Sequence, residues 1–324
     1  MGIHIIRLDQ TMTAIALAVP AYNAALYLPR LFASVMSQTV PFDEIWVFDD
    51  CSDDDTADVA LRLGAKVIRS PQNVGYCRAK NALLHRVGCD WVHFHDADDV
   101  LYPEYVARAK QRLDRDAFDA LLYDYEVVFE DTGDEVFRMT LSRSDLLVDC
   151  LRYMLAHTVH HSSGVYSVRF LRNFGGFDTD PAVYYNEERA FHLRAAENGA
   201  RFAVEPYLGT RIFYRRGNTW EKHTVACCLA IHFLTKDFAE RHPGRYRELI
   251  AELSWQTAQK MAPFLEWNLV DSCLTLACAH GGRFPRKASL DFKIACAISP
   301  YMALRLREWW IRSLKPYLRA NSHS

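Results

Sequence analysis

Apolar runs and helical patterns alternate through the first 130 residues, which predicts a mostly parallel sheet covered by helices. A strand is predicted over 14–19, followed by Pro20-Ala21-Tyr22-Asn23 and then by Leu26, Leu31, Phe32, Val35 and Met36 at helical spacing. A second strand over 44–48 runs into Asp49-Asp50-Cys51-Ser52-Asp53-Asp54-Asp55-Thr56, with a helix over 57–63 beyond it. Next come a short strand over 66–69, the turn Asn73-Val74-Gly75, a helix over 78–86 and a fourth strand over 91–95. That fourth strand leads straight into Asp96-Ala97-Asp98-Asp99, ahead of a helix starting near Pro103. Open sheets of this kind hold ligands outside the carboxyl ends of their strands, and the polar clusters fall at those ends.

Strands over 120–130 and 135–141 form an antiparallel pair about Asp131-Thr132-Gly133-Asp134. A helix over 144–156, the turn Gly175-Gly176-Phe177-Asp178 and a helix over 186–198 closed by Gly199 follow, then short strands over 201–204 and 210–214. From 221 onward the pattern is helical, with pauses at Pro263, Gly281-Gly282, Pro285 and Pro300.

Half of the 324 residues are apolar and 24% are charged, enough to close a core, so a largely disordered chain is excluded. With 38 Lys and Arg against 40 Asp and Glu, no basic excess points to nucleic acid. The apolar run over 294–304 is broken by Pro300 and falls short of the about 20 residues that span a bilayer. The first twenty residues show no secretory hydrophobic stretch. Nine Cys without C-x-x-C spacing favour reduced thiols in a cytoplasmic protein over disulfides or structural zinc. Charge is nonetheless uneven. Residues 281–324 hold nine Lys or Arg and two acids, a local excess of +7.

Asp96-Ala97-Asp98-Asp99 carries the sharpest chemistry. Side chains two apart on an extended segment point the same way, so Asp96 and Asp98 can face one pocket and hold a hard divalent ion together with phosphate oxygens. The rival reading is an acidic turn leading into the next helix. The Asp-rich stretch 49–56 lacks the Gly and Glu of a calcium loop. Asp53, Asp54 and Asp55 suit a helix N-terminus, while Asp50, nearest the strand, can accept a hydrogen bond from a base. Tyr22 offers a stacking face.

These segments together resemble the nucleotide-sugar-binding half of the inverting glycosyltransferases of family 2. They are similar in Val19-Pro20-Ala21-Tyr22-Asn23, in Phe48-Asp49-Asp50-Cys51-Ser52-Asp53, in the stretch Asn73-Val74-Gly75-Tyr76-Cys77-Arg78-Ala79-Lys80-Asn81, and in the D-x-D motif Asp96-Ala97-Asp98. The likeness covers residues 14–216. It implies an α/β fold of GT-A (Rossmann-like) type: a mostly parallel mixed sheet flanked by helices, with a helical C-terminal extension. Residues 1–220 would be the catalytic domain, with the donor half over 14–130 and the acceptor half over 131–220, and 221–324 the extension. The resemblance also implies site residues. Pro20, Ala21, Tyr22, Asn23, Asn73, Gly75 and Ala97 would bind the nucleotide sugar, Asp50 would pair with the base, and Asp96 would hold the ribose. Asp98, with Asp96, would bind Mn²⁺ or Mg²⁺ on the diphosphate. Lys80 would bind the nucleotide sugar too, standing where the family usually has Arg, a point charge in place of a fork.

Gly175-Gly176-Phe177-Asp178 precedes Glu187-Glu188, with Arg194 and Gly199 at the family's spacing, which puts Glu188 in the place of the catalytic base. It is one methylene longer than the commoner Asp. Glu187, Arg215 and Arg216 are candidates for diphosphate or acceptor contacts. The Q-x-x-R-W motif and spanning helices of processive synthases are absent from the sequence, so transfer of a single sugar is expected, commonly from a UDP-sugar. The acceptor would be a saccharide or a lipid-linked saccharide.

His93 and His95 alternate on the fourth strand and share a side. His157, His160 and His161 resemble a metal cluster by count alone and read as surface or capping residues. The basic, Trp-containing stretch 304–318 suits either an anionic membrane surface, at the inner face of the cell membrane, or a terminal helix packed on the body. Two rival functions stay open: a sugar nucleotidyltransferase, although Pro20-Ala21-Tyr22-Asn23 is not its glycine-rich loop, and a catalytically silent nucleotide-sugar- or partner-binding module.

Overall fold

All seven residues of the first strand, β1 (Ile15–Ala21), are buried, as a strand covered on both faces requires. The computed structural model describes residues 13–215, 217 and 222–319. Helix α1 (Leu28–Met36) links β1 to β2 (Glu44–Asp49), α2 (Thr56–Arg62) links β2 to β3 (Lys66–Arg69), and α3 (Tyr76–Arg86) leads to β4 (Trp91–Phe94). These four strands lie parallel in the order β3-β2-β1-β4. Their carboxyl ends gather the loops that start at Ala21, Asp50 and His95. Leu28, Leu31, Phe32 and Val35 of α1 are buried at helical spacing against the sheet.

Beyond β4 the sheet turns mixed. β8 (Gly164–Ser167) pairs antiparallel with both β4 and β6 (Ala120–Phe129). β9 (Phe202–Tyr214) runs parallel to β6, β5 (Val100–Leu101) pairs antiparallel with β9, and β7 (Glu135–Met139) pairs antiparallel with β6. Three predicted details change. The segments at 201–204 and 210–214 are one strand of 13 residues, kept continuous by register shifts about Asp124. Gly209 makes that crossing passable, since a Cβ there would lie 2.8 Å from the Tyr123 Cβ. The helix expected over 144–156 is two, α5 (Arg143–Val148) and α6 (Cys150–Ala156), because Asp149 leaves helical geometry at φ −155°. Strands β5 and β8 were not foreseen; two and four residues are too few for a period to register.

Two compact units make up the chain. The first comprises the described residues to Cys150 with Val159–Phe177 and Arg194–Arg215; it contains the sheet, α4 (Tyr105–Leu113) and α7 (Val168–Phe174). The second comprises Leu151–Thr158, Asp178–Leu193 and the described residues from 217 on. Most of α8 (Glu187–Glu197) falls there, with α9 (Thr224–Arg241), α10 (Arg247–Met261), α11 (Trp267–Ala279), α12 (Leu290–Ile298) and α13 (Pro300–Leu314). Its core packs Trp255, Met261, Val270, Cys273, Leu274 and Leu304.

Candidate functional site

In the first unit, the ends of β1 and β2 and the start of α3 enclose a cavity of about 240 Å³ lined by Pro20, Ala21, Tyr22, Asp50, Asn73, Gly75, Tyr76 and Ala79. Asp50 organises it. Its carboxylate accepts the backbone N–H groups of Val74 at 2.7 Å and Gly75 at 2.9 Å, and its carbonyl accepts from Asn73 Nδ2 at 3.3 Å. Gly75 is at φ +85°, a conformation that glycine adopts without strain and that turns both N–H groups toward Asp50. Tyr22 stands 52% exposed at the mouth. Asn23 does not line the cavity. Its side-chain oxygen accepts from the Asp53 N–H at 2.8 Å and its own N–H donates to Ser52 Oγ at 2.9 Å, bracing the first loop on the second.

The acidic corner after β4 separates its carboxylates by partner. Asp96 receives the Tyr76 hydroxyl and lies 3.2 Å from His161 Nε2 and 3.5 Å from His160 Nε2. Burial works to raise the Asp96 pKa, but His161, Lys80 and His160 outweigh it and hold the carboxyl well below the usual range. Lys80 is fully buried, its Nζ 3.6 Å from the Tyr76 ring centroid and 4.5 Å from that of Phe177. It acts on the corner from beneath Tyr76 rather than from the cavity wall. Ala97 is buried in the core.

Asp98 instead takes Arg215 Nη1 at 2.9 Å, and Arg215 also holds Glu130. Arg30 joins this cluster, donating to Glu130 at 2.9 Å and to the Asp98 carbonyl at 2.5 Å. Burial, then the charge of Asp96, pushes the Asp98 carboxyl up against the pull of Arg215. Asp99 is turned inward onto the Phe213 N–H at 2.9 Å, and burial with its two acidic neighbours pushes it well up.

His93 and His95 share a side, as expected, but that side is the core; both are fully buried. His93 Nδ1 donates to the Gly164 carbonyl at 2.9 Å, which leaves Nε2 to accept from His95 Nδ1 at 3.0 Å. Burial, with further contributions from neighbouring groups, holds His93 well below its ordinary range and brings His95 to about 3. A lowered folded pKa means that the unfolded chain binds protons that the folded one does not, so this contribution is intact above about pH 6.5 and is lost on acidification. From pH 6.5 to 5 the loss from His95 is about 2 kcal/mol; His93 acts in the same direction, and Asp99, whose shift has the opposite sign, partly offsets both. Expected: the ring C–H resonances of both residues stay flat from pH 8 to 5 by NMR, whereas a titration midpoint above 5.5 in either would contradict neutral burial.

Glu187 and Glu188 occupy the first turn of α8 in the second unit, both half-buried, where the helix dipole favours carboxylates. Asn186 anchors that end by donating to the Cys227 carbonyl at 3.0 Å. Burial, then Cys228 and the charges of Glu187 and Glu188, pushes the Cys227 thiol up to about 11. Arg189 is buried and donates to the Leu155 carbonyl at 2.9 Å and to Thr158. In the first unit, Arg194 clamps the Gly-Gly turn through the carbonyls of Phe174 and Gly176. Arg216 lies outside the described residues.

Sequence reading assigned no role to Tyr76, Arg30 or Glu130 and offered His160 and His161 as surface or capping residues; His160 does cap the turn before β8, accepting from the Ser162 N–H, whereas His161 is fully buried. The signal available was His160-His161-Ser162-Ser163 just before a short strand. Asp96, His160 and His161 bring one ligand atom each within 4.8 Å of one another, a spacing that one divalent ion can bridge. The donor set therefore fits an ion at Asp96. Asp98, expected as a ligand, is not in that group and is held by Arg215.

Among curated proteins, the chain is 25% identical over 215 residues to the succinoglycan biosynthesis protein ExoO of Rhizobium meliloti, covering 63% of this chain and 62% of that one. It is 28% identical over 102 residues to an uncharacterized glycosyltransferase of Haemophilus influenzae, covering 31% of this chain and 35% of the relative. The chain thus spans under two thirds of these relatives' length. Among solved structures it is similar to S. aureus TarS 1–349, with TM-score 0.54 and 22% identity, covering 91% of this chain and 82% of that one. It is also similar to the mannosyltransferase PcManGT from Pyrobaculum calidifontis in complex with GDP-Man and Mn²⁺, with TM-score 0.57 and 17% identity, covering 97% and 84%. These likenesses establish the fold as GT-A, a mixed sheet flanked by helices with a helical C-terminal region. Residues 16–175 match the model described as Glycosyl transferase family 2, and it is this segment that is similar to the family.

Proposed function

We propose that the chain is a metal-assisted, inverting, non-processive glycosyltransferase that moves one sugar from a nucleoside-diphosphate sugar, a UDP-sugar first, to a saccharide or lipid-linked saccharide hydroxyl. One observation carries this reading: Pro20, Ala21, Tyr22, Asp50, Asn73 and Gly75, drawn from three separate stretches of sequence, line a single small cavity. At about 240 Å³ it is below the size of pockets for whole drug-like ligands, and suits a base. The TarS structures solved with UDP and UDP-GlcNAc, and PcManGT with GDP-Man and Mn²⁺, support a nucleotide-sugar donor. The name of ExoO supports a polysaccharide acceptor.

Tyr22 stacks on the base, Asp50 accepts its N–H with lone pairs left over from Val74 and Gly75, and Asp96 holds the ribose. Asp96 and Asp98 would hold the ion, Mn²⁺ or Mg²⁺, and of the two the imidazoles beside Asp96 would suit Mn²⁺ better. When bound, the ion supplies positive charge against the departing diphosphate. Arg215 adds a fixed cation to the same corner. Glu188 takes the proton of the acceptor hydroxyl as its oxygen attacks the anomeric carbon opposite the leaving group, so the centre inverts in one displacement. Glu187 contacts the acceptor. Residues 1–220 serve as the catalytic domain, and 221–324 as an extension that reaches an anionic membrane surface.

Calorimetry with UDP-sugars and GDP-mannose, with and without Mn²⁺, tests the donor. Tyr22→Ala is expected to weaken nucleotide binding roughly 5- to 150-fold, since base–aromatic stacking contributes about 1–3 kcal/mol. Its melting temperature should hold, because the ring is 52% exposed. Unchanged affinity would remove the base from this cavity. Released product separates the rival reactions: free nucleoside diphosphate marks transfer, and pyrophosphate marks a nucleotidyltransferase.

A further inference from the structure

Helices α12 and α13 expose their apolar residues and bury a carboxylate, the reverse of a helix that packs its apolar stripe inward. On α12, Leu290, Ile294 and Ile298 recur every fourth residue and are 74%, 58% and 86% exposed. On α13, Met302, Leu306, Trp309 and Trp310 follow helical spacing, all exposed, Trp309 at 67%, with Leu314, Tyr317 and Leu318 continuing the exposure beyond. The inward side of α13 holds Ala303, Leu304 and Ile311 together with Glu308, which is 3% exposed. Glu308 draws Arg312 to 3.1 Å and Arg319 to 2.7 Å. Two of the tail's cations are thus turned inward. Two more are spoken for: Arg305 by Asp271 at 2.8 Å and Arg286 by Glu248 at 2.6 Å.

Three of the five remaining cations lie on or just past these two helices. Lys293, Arg307 and Lys315 ride over the rings of Phe284, Phe292 and Trp310 at 5.6, 5.6 and 5.2 Å, with no carboxylate partner among the described residues. Positive charge without an ion-pair partner therefore accompanies exposed Leu, Ile and Trp along two consecutive helices, on which Asp291 is the one exposed acid among the described residues. Isolated exposed apolar residues are ordinary, but runs of them mark an interaction surface. Their charge sets the partner: cations beside Trp and aliphatic side chains match a bilayer surface bearing anionic headgroups. No helix of the described residues is long and apolar enough to cross a membrane, so such contact is interfacial.

We propose that the outward faces of α12 and α13 dock on an anionic lipid bilayer, with Leu290, Ile294, Ile298, Leu306, Trp309 and Trp310 entering the headgroup–acyl boundary and Lys293, Arg307 and Lys315 meeting the lipid phosphates. The surface lies wholly in the second unit and deepens the membrane element of the proposed function without depending on the transfer reaction or its acceptor.

Co-sedimentation of the full chain with phosphatidylglycerol–phosphatidylcholine vesicles, against pure phosphatidylcholine vesicles, tests it. Expected: at least tenfold stronger partition onto the anionic vesicles, weakened by salt as screening shortens the reach of the charges. Ile298→Glu combined with Leu306→Glu should lower partition at least tenfold while leaving the circular dichroism spectrum and melting temperature unchanged, because both side chains are exposed. Arg307→Glu with Lys315→Glu should remove the preference for anionic lipid. Equal binding to both vesicle types overturns the proposal, as does full binding by the Ile298→Glu, Leu306→Glu chain. A dimer in sedimentation velocity that those glutamates dissolve, with no vesicle binding by the native chain, assigns the face to a second copy and also overturns it. Donor binding, measured on the same samples, reports separately on the nucleotide cavity.

Discussion

Glu188→Gln is expected to leave donor affinity intact and to slow sugar transfer by roughly 10²- to 10⁴-fold, the contribution of a positioned general base. The carboxamide keeps the size and hydrogen-bonding reach of the carboxylate but cannot take up a proton. Other groups hold the start of the helix: Asn186 anchors it to the Cys227 carbonyl, and Arg189 secures the first turn to Leu155 and Thr158. The lost interaction with the helix dipole is about 0.3–1 kcal/mol, so the variant should fold. Glu187→Gln is the control, with a smaller effect on rate, since contact with the acceptor rather than proton transfer is assigned to it. Calorimetry of donor binding and single-turnover release of nucleoside diphosphate in the presence of acceptor separate the two. Full activity in Glu188→Gln would strip that residue of the role.

The parallel half of the sheet was legible because each strand is followed by an amphipathic helix and each strand end by a polar cluster. Ile15 to Ala21 is uninterrupted buried apolar sequence, and α1 buries one periodic stripe. The small cavity lined by Pro20, Tyr22 and Asp50 was legible for the same reason: these residues sit at strand ends, where connectivity dictates position. The pairing of Asp96 with His160 and His161 was not. It depends on β8 lying between β4 and β6, a contact across more than sixty residues made by a four-residue strand that opens on Gly164. No local period encodes such a neighbour. Lys80 was misleading in a different way. Its place in the motif suggested contact with the nucleotide sugar, whereas the helix turns it under the ring of Tyr76, where its charge helps to lower the Asp96 carboxyl. Arg215, expected near the diphosphate, is engaged with Asp98 and Glu130, so any anionic ligand there competes with two carboxylates.

That difference in partners predicts that the two acids of the D-x-D motif fail differently. Asp96→Asn keeps the shape of the side chain and removes the charge around which Tyr76, His160, His161 and Lys80 are arranged. Loss of one member of a buried charged group is typically worth about 3–5 kcal/mol; Asp96 is not wholly buried, so a loss near the lower figure is expected, seen as a lower denaturant midpoint. The same substitution should abolish the Mn²⁺-dependent part of donor affinity, a drop of roughly a hundredfold or about 2.7 kcal/mol, because the cluster then offers imidazoles without an anion. Asp98→Ala should also lose Mn²⁺-dependent donor binding, but with little change in stability: its side chain is 34% exposed, and Arg215 retains Glu130. Urea denaturation paired with calorimetry at saturating Mn²⁺ reads both properties. Undiminished Mn²⁺-dependent affinity in Asp98→Ala would leave the ion to Asp96 and the two histidines, and undiminished affinity in Asp96→Asn would take it from the corner altogether.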